Sequence, residues 1–195
     1  MSPPAATSHT ALALVEIASL ARGLVAADAA AKKAHIELLE CGPTSPGKYL
    51  LLFAGGVAEV EESLQAAVSA AGDSLLDKLF LPQADVQLLP ALRAGAAGLP
   101  KVSAQRAGES VGVLELLTVA GAIRCADAAC KAAHVELQLL RLARGIGGKA
   151  WFVLRGALTD VEAAMLAAQG LAGEGHIAGA EIIAAPAPEL VGRGL

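Results

Sequence analysis

The stretch LVEIASLARGLVAADAAAKKAHIELLE, Leu14–Glu40, is written a second time as VLELLTVAGAIRCADAACKAAHVELQL, Val113–Leu139. Glu16 pairs with Glu115, Asp28 with Asp127, Lys32 with Lys131, His35 with His134 and Glu37 with Glu136, each pair 99 residues apart. Across residues 13–37, 10 of 25 positions are identical, so the chain is read as a duplicated unit. After a slip of two residues the match resumes, with Gly47-Lys48 against Gly148-Lys149, Gly55 against Gly156 and Val60-Glu61 against Val161-Glu162. The slip falls in a connecting loop, where a change of length is best tolerated.

Each copy carries the same order of elements. ALALVEI (11–17) and VGVLELL (111–117) read as first strands, followed by Ala-rich helices over 18–34 and 118–133. In both helices Asp and Lys stand four apart, a spacing that permits a surface pair worth on the order of 0.3 kcal/mol. Second strands begin at HIELLE (35–40) and HVELQLLRLA (134–143), and third strands follow at KYLLLFAG (48–55) and KAWFVLRG (149–156). VAEVEESLQAAVSAAGDSLLDKL (57–79) reads as a second helix, with Val57, Val60, Leu64, Ala67 and Val68 on its apolar face. Its partner is LTDVEAAMLAAQGLA (158–172), with Thr159 or Asp160 as the candidate cap. LFLPQAD (79–85) and AEIIAAP (180–186) read as last strands. The pattern predicts an α+β fold, each copy an antiparallel sheet with helices on one face. Residues 1–9 read as a disordered tail, 10–92 as the first domain, 93–109 as a Gly-rich polar linker, and 110–195 as the second domain.

CGPTSPGKYLLLF, Cys41–Phe53, contains the G-x-x-x-x-G-K spacing of a phosphate loop. The chemistry around it points elsewhere. Pro43 and Pro46 remove two of the backbone donors that would cradle phosphate. Tyr49 stands where a magnesium-binding Ser or Thr belongs, and YLLLF continues as a strand instead of opening a helix. The loop therefore needs a role other than nucleotide binding.

Composition narrows the choice. Of the 195 residues 55% are hydrophobic and 17% charged, with a mean hydropathy of +0.56. Such a surface is short of charge and calls for burial against other subunits. Charges interrupt the apolar runs (Glu16, Arg22 and Asp28, then Glu115 and Arg124), so no run of about 20 apolar residues spans a membrane. A net charge of −4 without a basic block argues against nucleic acid. Met1-Ser2-Pro3-Pro4 lacks the start of a signal peptide, so a cytoplasmic location is expected. Cys41, Cys125 and Cys130 have no zinc-type spacing, and the last two read as small buried residues on a helix.

The repeated string ADAAxKAAH(I/V)E, followed by the Gly-Lys turn and a G…VE helix, resembles the bacterial microcompartment shell domain, or BMC domain. The likeness covers most of residues 10–190, and the tandem arrangement is similar to the trimer-forming shell proteins with two such domains. The resemblance implies two tandem ferredoxin-like BMC domains. It also implies a structural, non-enzymatic homotrimer forming a pseudohexameric tile. Its implied partners are itself, other shell proteins (hexamers and pentamers) and small metabolites crossing a central pore. In that family the loop between second and third strands lines the pore, which here implicates Thr44, Ser45, Pro46 and Gly47, and in the second copy Arg144, Gly145, Ile146 and Gly147. Lys32 and Lys131 stand where the family has its tile-edge lysine; the alternative is a solvated helix face. The Arg-Pro pair common after the last strand is replaced by Leu81-Pro82-Gln83 and Pro186-Ala187-Pro188, so contact through that arginine is not expected. Some tandem shell proteins place a cysteine before the Pro-Gly-Lys and hold an iron–sulfur cluster. This chain has Ser45, a poor substitute for thiolate, and no cofactor is expected.

Three Ser45 hydroxyls would line a neutral polar opening. Arg144 either faces the lumen or pairs with an acidic neighbour. At roughly 10 Å in water each arginine would attract a unit anion by about 0.4 kcal/mol. His35 and His134 repeat but follow helices, where His suits the last carbonyls, and no ligand set for a metal surrounds them. Glu16 and Glu115 alternate with apolar neighbours, so an intersubunit partner is expected in place of acid–base work. No catalytic set can be read. The second function class is a soluble tandem ferredoxin-like module that binds a small ligand or acts as a sensor.

Overall fold

The computed structural model describes residues 11–97, 109–143, 147–173 and 175–190. The tail 1–9 and residues 98–108 of the expected linker lie outside them. The chain divides into two compact units between Ala84 and Asp85. The sequence reading places residues 85–92 with the first domain, whereas this division places them with the second.

In the first unit β1 (Ala11–Ile17) leads to α1 (Leu20–Lys33), β2 (Glu37–Thr44), β3 (Lys48–Gly55), α2 (Val57–Ala71) and β4 (Leu75–Leu81). The sheet order is β2-β3-β1-β4 with antiparallel pairing throughout. Hydrogen-bonded on both sides, β1 is buried along its whole length, which is why its sequence is almost continuously apolar. Ala11, Ala13, Val15 and Ile17 of β1 join Tyr49, Leu51 and Phe53 of β3 under the two helices. Small Ala26, Ala27 and Ala30 let α1 approach closely, and the buried Ser63 hydroxyl of α2 donates to Ala30 O at 3.1 Å, tying the helices together.

The second unit opens with α3 (Leu88–Ala97). It then repeats the plan with β5 (Ser110–Leu116), α4 (Val119–Ala132), β6 (Glu136–Leu142), β7 (Ala150–Gly156), α5 (Leu158–Ala172) and β8 (Ile177–Ile183). Its sheet order, β6-β7-β5-β8, is the same. α1 and α4 start alike: Arg22 N–H donates to Ser19 Oγ and Gly121 N–H to Thr118 Oγ1, the usual N-cap arrangement.

Several sequence expectations need correction. The second helix stops at Ala71, because Gly72 takes φ +53°, a left-handed conformation that ends a helix. β4 therefore starts at Leu75, and β8 at Ile177, several residues before the expected starts at 79 and 180. Pairing with β1 and β5 recruits them, through Ile17 with Leu75 and Leu116 with Ile177. Neither Thr159 nor Asp160 caps α5; Ala157 occupies that position without a side-chain bond, and Asp160 lies in the first turn. There its charge favours the helix N-terminus. Part of the expected linker, up to Ala97, is helical as α3.

Cys125 and Cys130 are buried on α4, as expected of structural cysteines. Burial pushes their thiols up from 9.0 to about 11 and about 12. Burial, and then a hydrogen bond with Cys41, pushes Tyr49 from 10.0 to about 12. These acids ionise later in the folded chain than in the unfolded one. Their contribution is thus complete below pH 9.0 and is lost as pH rises from there toward 12. Urea titrations should give a constant midpoint between pH 7 and 8.5 and a steady fall above that. Cys125→Ala/Cys130→Ala should flatten the fall.

Candidate functional site: the strand-hairpin tips

The hairpin of β2 and β3 closes through Ser45-Pro46-Gly47. Gly47 N–H donates to Thr44 O at 2.9 Å, and Gly47 takes φ +95°, which is why glycine stands there. Ser45, Pro46 and Gly47 are exposed at the tip, while Thr44 is half-buried. Thr44 Oγ1 is turned inward with no hydrogen-bond partner among the described residues. The tip offers a hydroxyl and backbone groups to solvent and no charge.

Beneath the tip lies the explanation of the Gly-Lys signature. Lys48 Nζ sits 3.1 Å from Glu16 Oε2, and the Glu16 side chain is completely buried. Glu16 is directly opposite Leu50 in the β1–β3 register, so Lys48 is its diagonal neighbour on the same face. The second copy repeats the contact, with Lys149 Nζ 3.0 Å from Glu115 Oε1, and Glu115 opposite Trp151. The sequence expects an intersubunit partner for the two glutamates; within the chain each has a lysine of its own domain. Because β3 begins at Lys48, no helix follows the loop, and the lysine that mimics a phosphate loop is the anchor of the hairpin.

Further back on β2, Cys41 Sγ lies 3.2 Å from Tyr49 Oη. In the second hairpin Ala143 N–H donates to Lys149 O at 2.9 Å, with Ala143, Gly147 and Gly148 all at positive φ. Gly147 is exposed. Arg144, Gly145 and Ile146 lie outside the described residues.

The two candidate edge lysines lie in the last turns of α1 and α4, and each binds the aspartate one turn earlier. Lys32 Nζ is 2.7 Å from Asp28 Oδ2, and Lys131 Nζ is 2.6 Å from Asp127 Oδ2. The first pair is open to solvent, whereas Asp127 is almost buried and also accepts from Asp85 N–H at 2.7 Å. His35 and His134 are exposed beyond the helix ends, and their carbonyls lie against Gly55 and Gly156. A Cβ on Gly156 would come within 3.2 Å of His134 O, so packing accounts for the repeated glycine. Among the described residues no three His, Cys, Asp or Glu side chains converge.

Sequence reasoning missed the Glu–Lys anchors and the Cys41–Tyr49 contact. A signal for the anchors existed: glutamate and lysine recur together in both copies, on first and third strands that pair within each sheet.

The sequence matches the BMC domain family twice, over residues 11–84 and 110–186. It is 39% identical over 164 residues to the bacterial microcompartment shell protein PduT of Citrobacter freundii, covering 84% of this chain and 85% of that one. The fold superposes on a microcompartments protein from Desulfitobacterium hafniense with a TM-score of 0.82, at 36% identity and covering 94% and 98% of the two chains. A fused permuted hexameric shell protein from the RMM microcompartment shares the fold, with a TM-score of 0.62, 22% identity and coverage of 84% and 85%. These matches favour the shell reading over a soluble ligand-binding module. The chain belongs to the BMC-domain family and is a bacterial microcompartment shell protein with two BMC domains in tandem.

Proposed function

We propose that three chains close into a homotrimeric, pseudohexameric tile whose hairpin tips surround a central pore for small polar metabolites. The observation that carries this reading is the tip itself. Ser45, Pro46 and Gly47 are exposed, yet the strand behind them is held by an ion pair whose glutamate is buried. A loop that is open at its tip and anchored at its base suits a fixed aperture. Thr44, Ser45, Pro46 and Gly47 line it from the first domain, and Arg144, Gly145, Ile146 and Gly147 from the second. Lys32 and Lys131 face neighbouring tiles, among them hexamers and pentamers of other shell proteins.

The reading assigns the chain no catalytic step and no cofactor. An iron–sulfur cluster at the tip would need thiolates. The tip has Ser45, and Cys41 lies four residues earlier, against Tyr49. The purified protein should accordingly contain neither iron nor acid-labile sulfide.

Ser45→Trp tests the aperture. Three indoles at the axis should lower metabolite entry into assembled shells several-fold while leaving assembly unchanged. Unaltered flux in fully assembled shells would remove the first-domain loop from the route.

A further inference from the structure

Resting on the trimer reading, we infer that the segment Ala187–Leu190 of each chain seats on the outer edge of the next copy's first domain, along β2 and the end of α1. The second domain shows how such a seat is built. The segment after β4 docks on it: Asp85 N–H donates to Asp127 Oδ1 at 2.7 Å. The Gln87 side chain then brackets the free edge of β6, its Nε2 donating to Val135 O at 3.1 Å and its Oε1 accepting from Leu137 N–H at 2.9 Å. Leu88 follows and is fully buried.

The repeat maps this seat onto the first domain. Asp127, Val135 and Leu137 correspond to Asp28, Ile36 and Leu38, each 99 residues earlier. There the same positions stand open. The Asp28 side chain is 60% exposed against 8% for Asp127, and Leu38 is 44% exposed against 8% for Leu137. Leu24, on the neighbouring face of α1, is 63% exposed, and its counterpart Ile123 is fully buried.

The chain also carries an unused copy of the docking segment. Leu12 is opposite Leu81 and its counterpart Val111 is opposite Ile183, so residues after β4 correspond to residues after β8 at an offset of 102. Asp85, Gln87 and Leu88 thus correspond to Ala187, Glu189 and Leu190. The backbone turn is the same: Leu88 N–H donates to Asp85 O at 3.1 Å, and Leu190 N–H to Ala187 O at 3.0 Å. Leu88 is buried, whereas Leu190 is 48% exposed. One chain therefore presents a preformed segment and, elsewhere, an open seat of matching design. Head-to-tail pairing of the two between copies closes a ring when the rotation allows it.

The match has two flaws: Ala187 lacks the carboxylate through which Asp85 Oδ1 accepts from Gln87 N–H at 2.9 Å, and Glu189 stands in place of Gln87, a difference that sharpens the test. Ala187 N–H can donate to Asp28, and Leu38 N–H can donate to the Glu189 carboxylate. An ionised Glu189 has no donor for Ile36 O, the group that corresponds to Val135 O, and sets an oxygen against it. Glu189→Gln restores the missing donor and should tighten association about fivefold. Leu190→Asp places a charge in an apolar seat and should weaken it about 100-fold. Mass photometry of the full chain over a dilution series reads both, with thermal unfolding of the separated chain as the check that Leu190→Asp still folds. The proposal stands if the two variants move the dissociation constant in these opposite directions, and it falls if either does not. A wild-type chain that is monomeric throughout overturns the trimer reading instead.

Discussion

Lys48→Met is expected to lower the stability of the first domain by about 3 kcal/mol, while Lys149→Met, the same change in the second copy, costs about 1 kcal/mol or less. The sequence repeat makes the two lysines look equivalent, and their distances to glutamate are nearly equal, 3.1 and 3.0 Å. Their surroundings differ. Glu16 is completely buried and Lys48 only 21% exposed, whereas Glu115 and Lys149 are 37% and 41% exposed. Methionine keeps the apolar stem and removes the ammonium. In the first domain this leaves a buried carboxylate short of its cation, the expensive way to break an ion pair. In the second, water takes over much of the lysine's part. Hydrogen exchange of the β1 and β3 amides, compared with those of β5 and β7, measures both domains in one sample. Equal losses in the two would show that burial does not govern these anchors.

The second large effect is expected at Gly23, on the buried face of α1. A glycine inside a helix costs about 1 kcal/mol relative to alanine, so Gly23→Ala would stabilise the domain if space allowed. It does not: a Cβ there would overlap Cγ, Cβ and Cδ1 of Tyr49. We expect a net loss of about 2–3 kcal/mol from overpacking, read as a lower midpoint in urea. The second copy supplies the control. Its corresponding positions are Ala122 and Ala150, both fully buried, so a Gly–Tyr pair in one domain is exchanged for an Ala–Ala pair in the other. Tyr49→Ala alone should cost about 3 kcal/mol through the cavity it leaves. The double variant Gly23→Ala/Tyr49→Ala should then cost no more than Tyr49→Ala alone. Additive losses would mean that the two residues do not compete for one space.

Most of the fold was legible because the chain states it twice. Two weak readings of a strand or a helix become one firm reading when they share positions, and β1, α1, β3 and α5 fell within a few residues of expectation. The errors occurred where local pattern and tertiary pairing disagree. LLDKL continues the apolar spacing of the helix before it, and only Gly72 and the edge of β1 turn it into a strand. α3 was hidden because its second half, RAGAA from Arg93, opens a Gly-rich stretch that reads as a linker, and only burial of Leu88 and Leu92 fixes the helix. The hairpin turn was legible from the Gly-Lys spacing between two strands, while its pore role comes from the resemblance alone. The anchor was not legible, because Glu16 and Lys48 are 32 residues apart and meet only through strand register. Gln87 was equally invisible: nothing local marks a glutamine that will bracket a strand edge 48 to 50 residues away.

We propose that this duplicated domain completes itself as a ring of three chains with the hairpin tips at the middle. Electron cryomicroscopy of the purified full chain at side-chain resolution tests it most directly. We expect a closed three-chain ring about 70 Å across, a size that follows from six compact domains around an axis, with the three Ser45 residues facing one another at its centre. Single chains at high protein concentration, or a ring that carries the Ser45-Pro46-Gly47 turn on its outer rim, would contradict it.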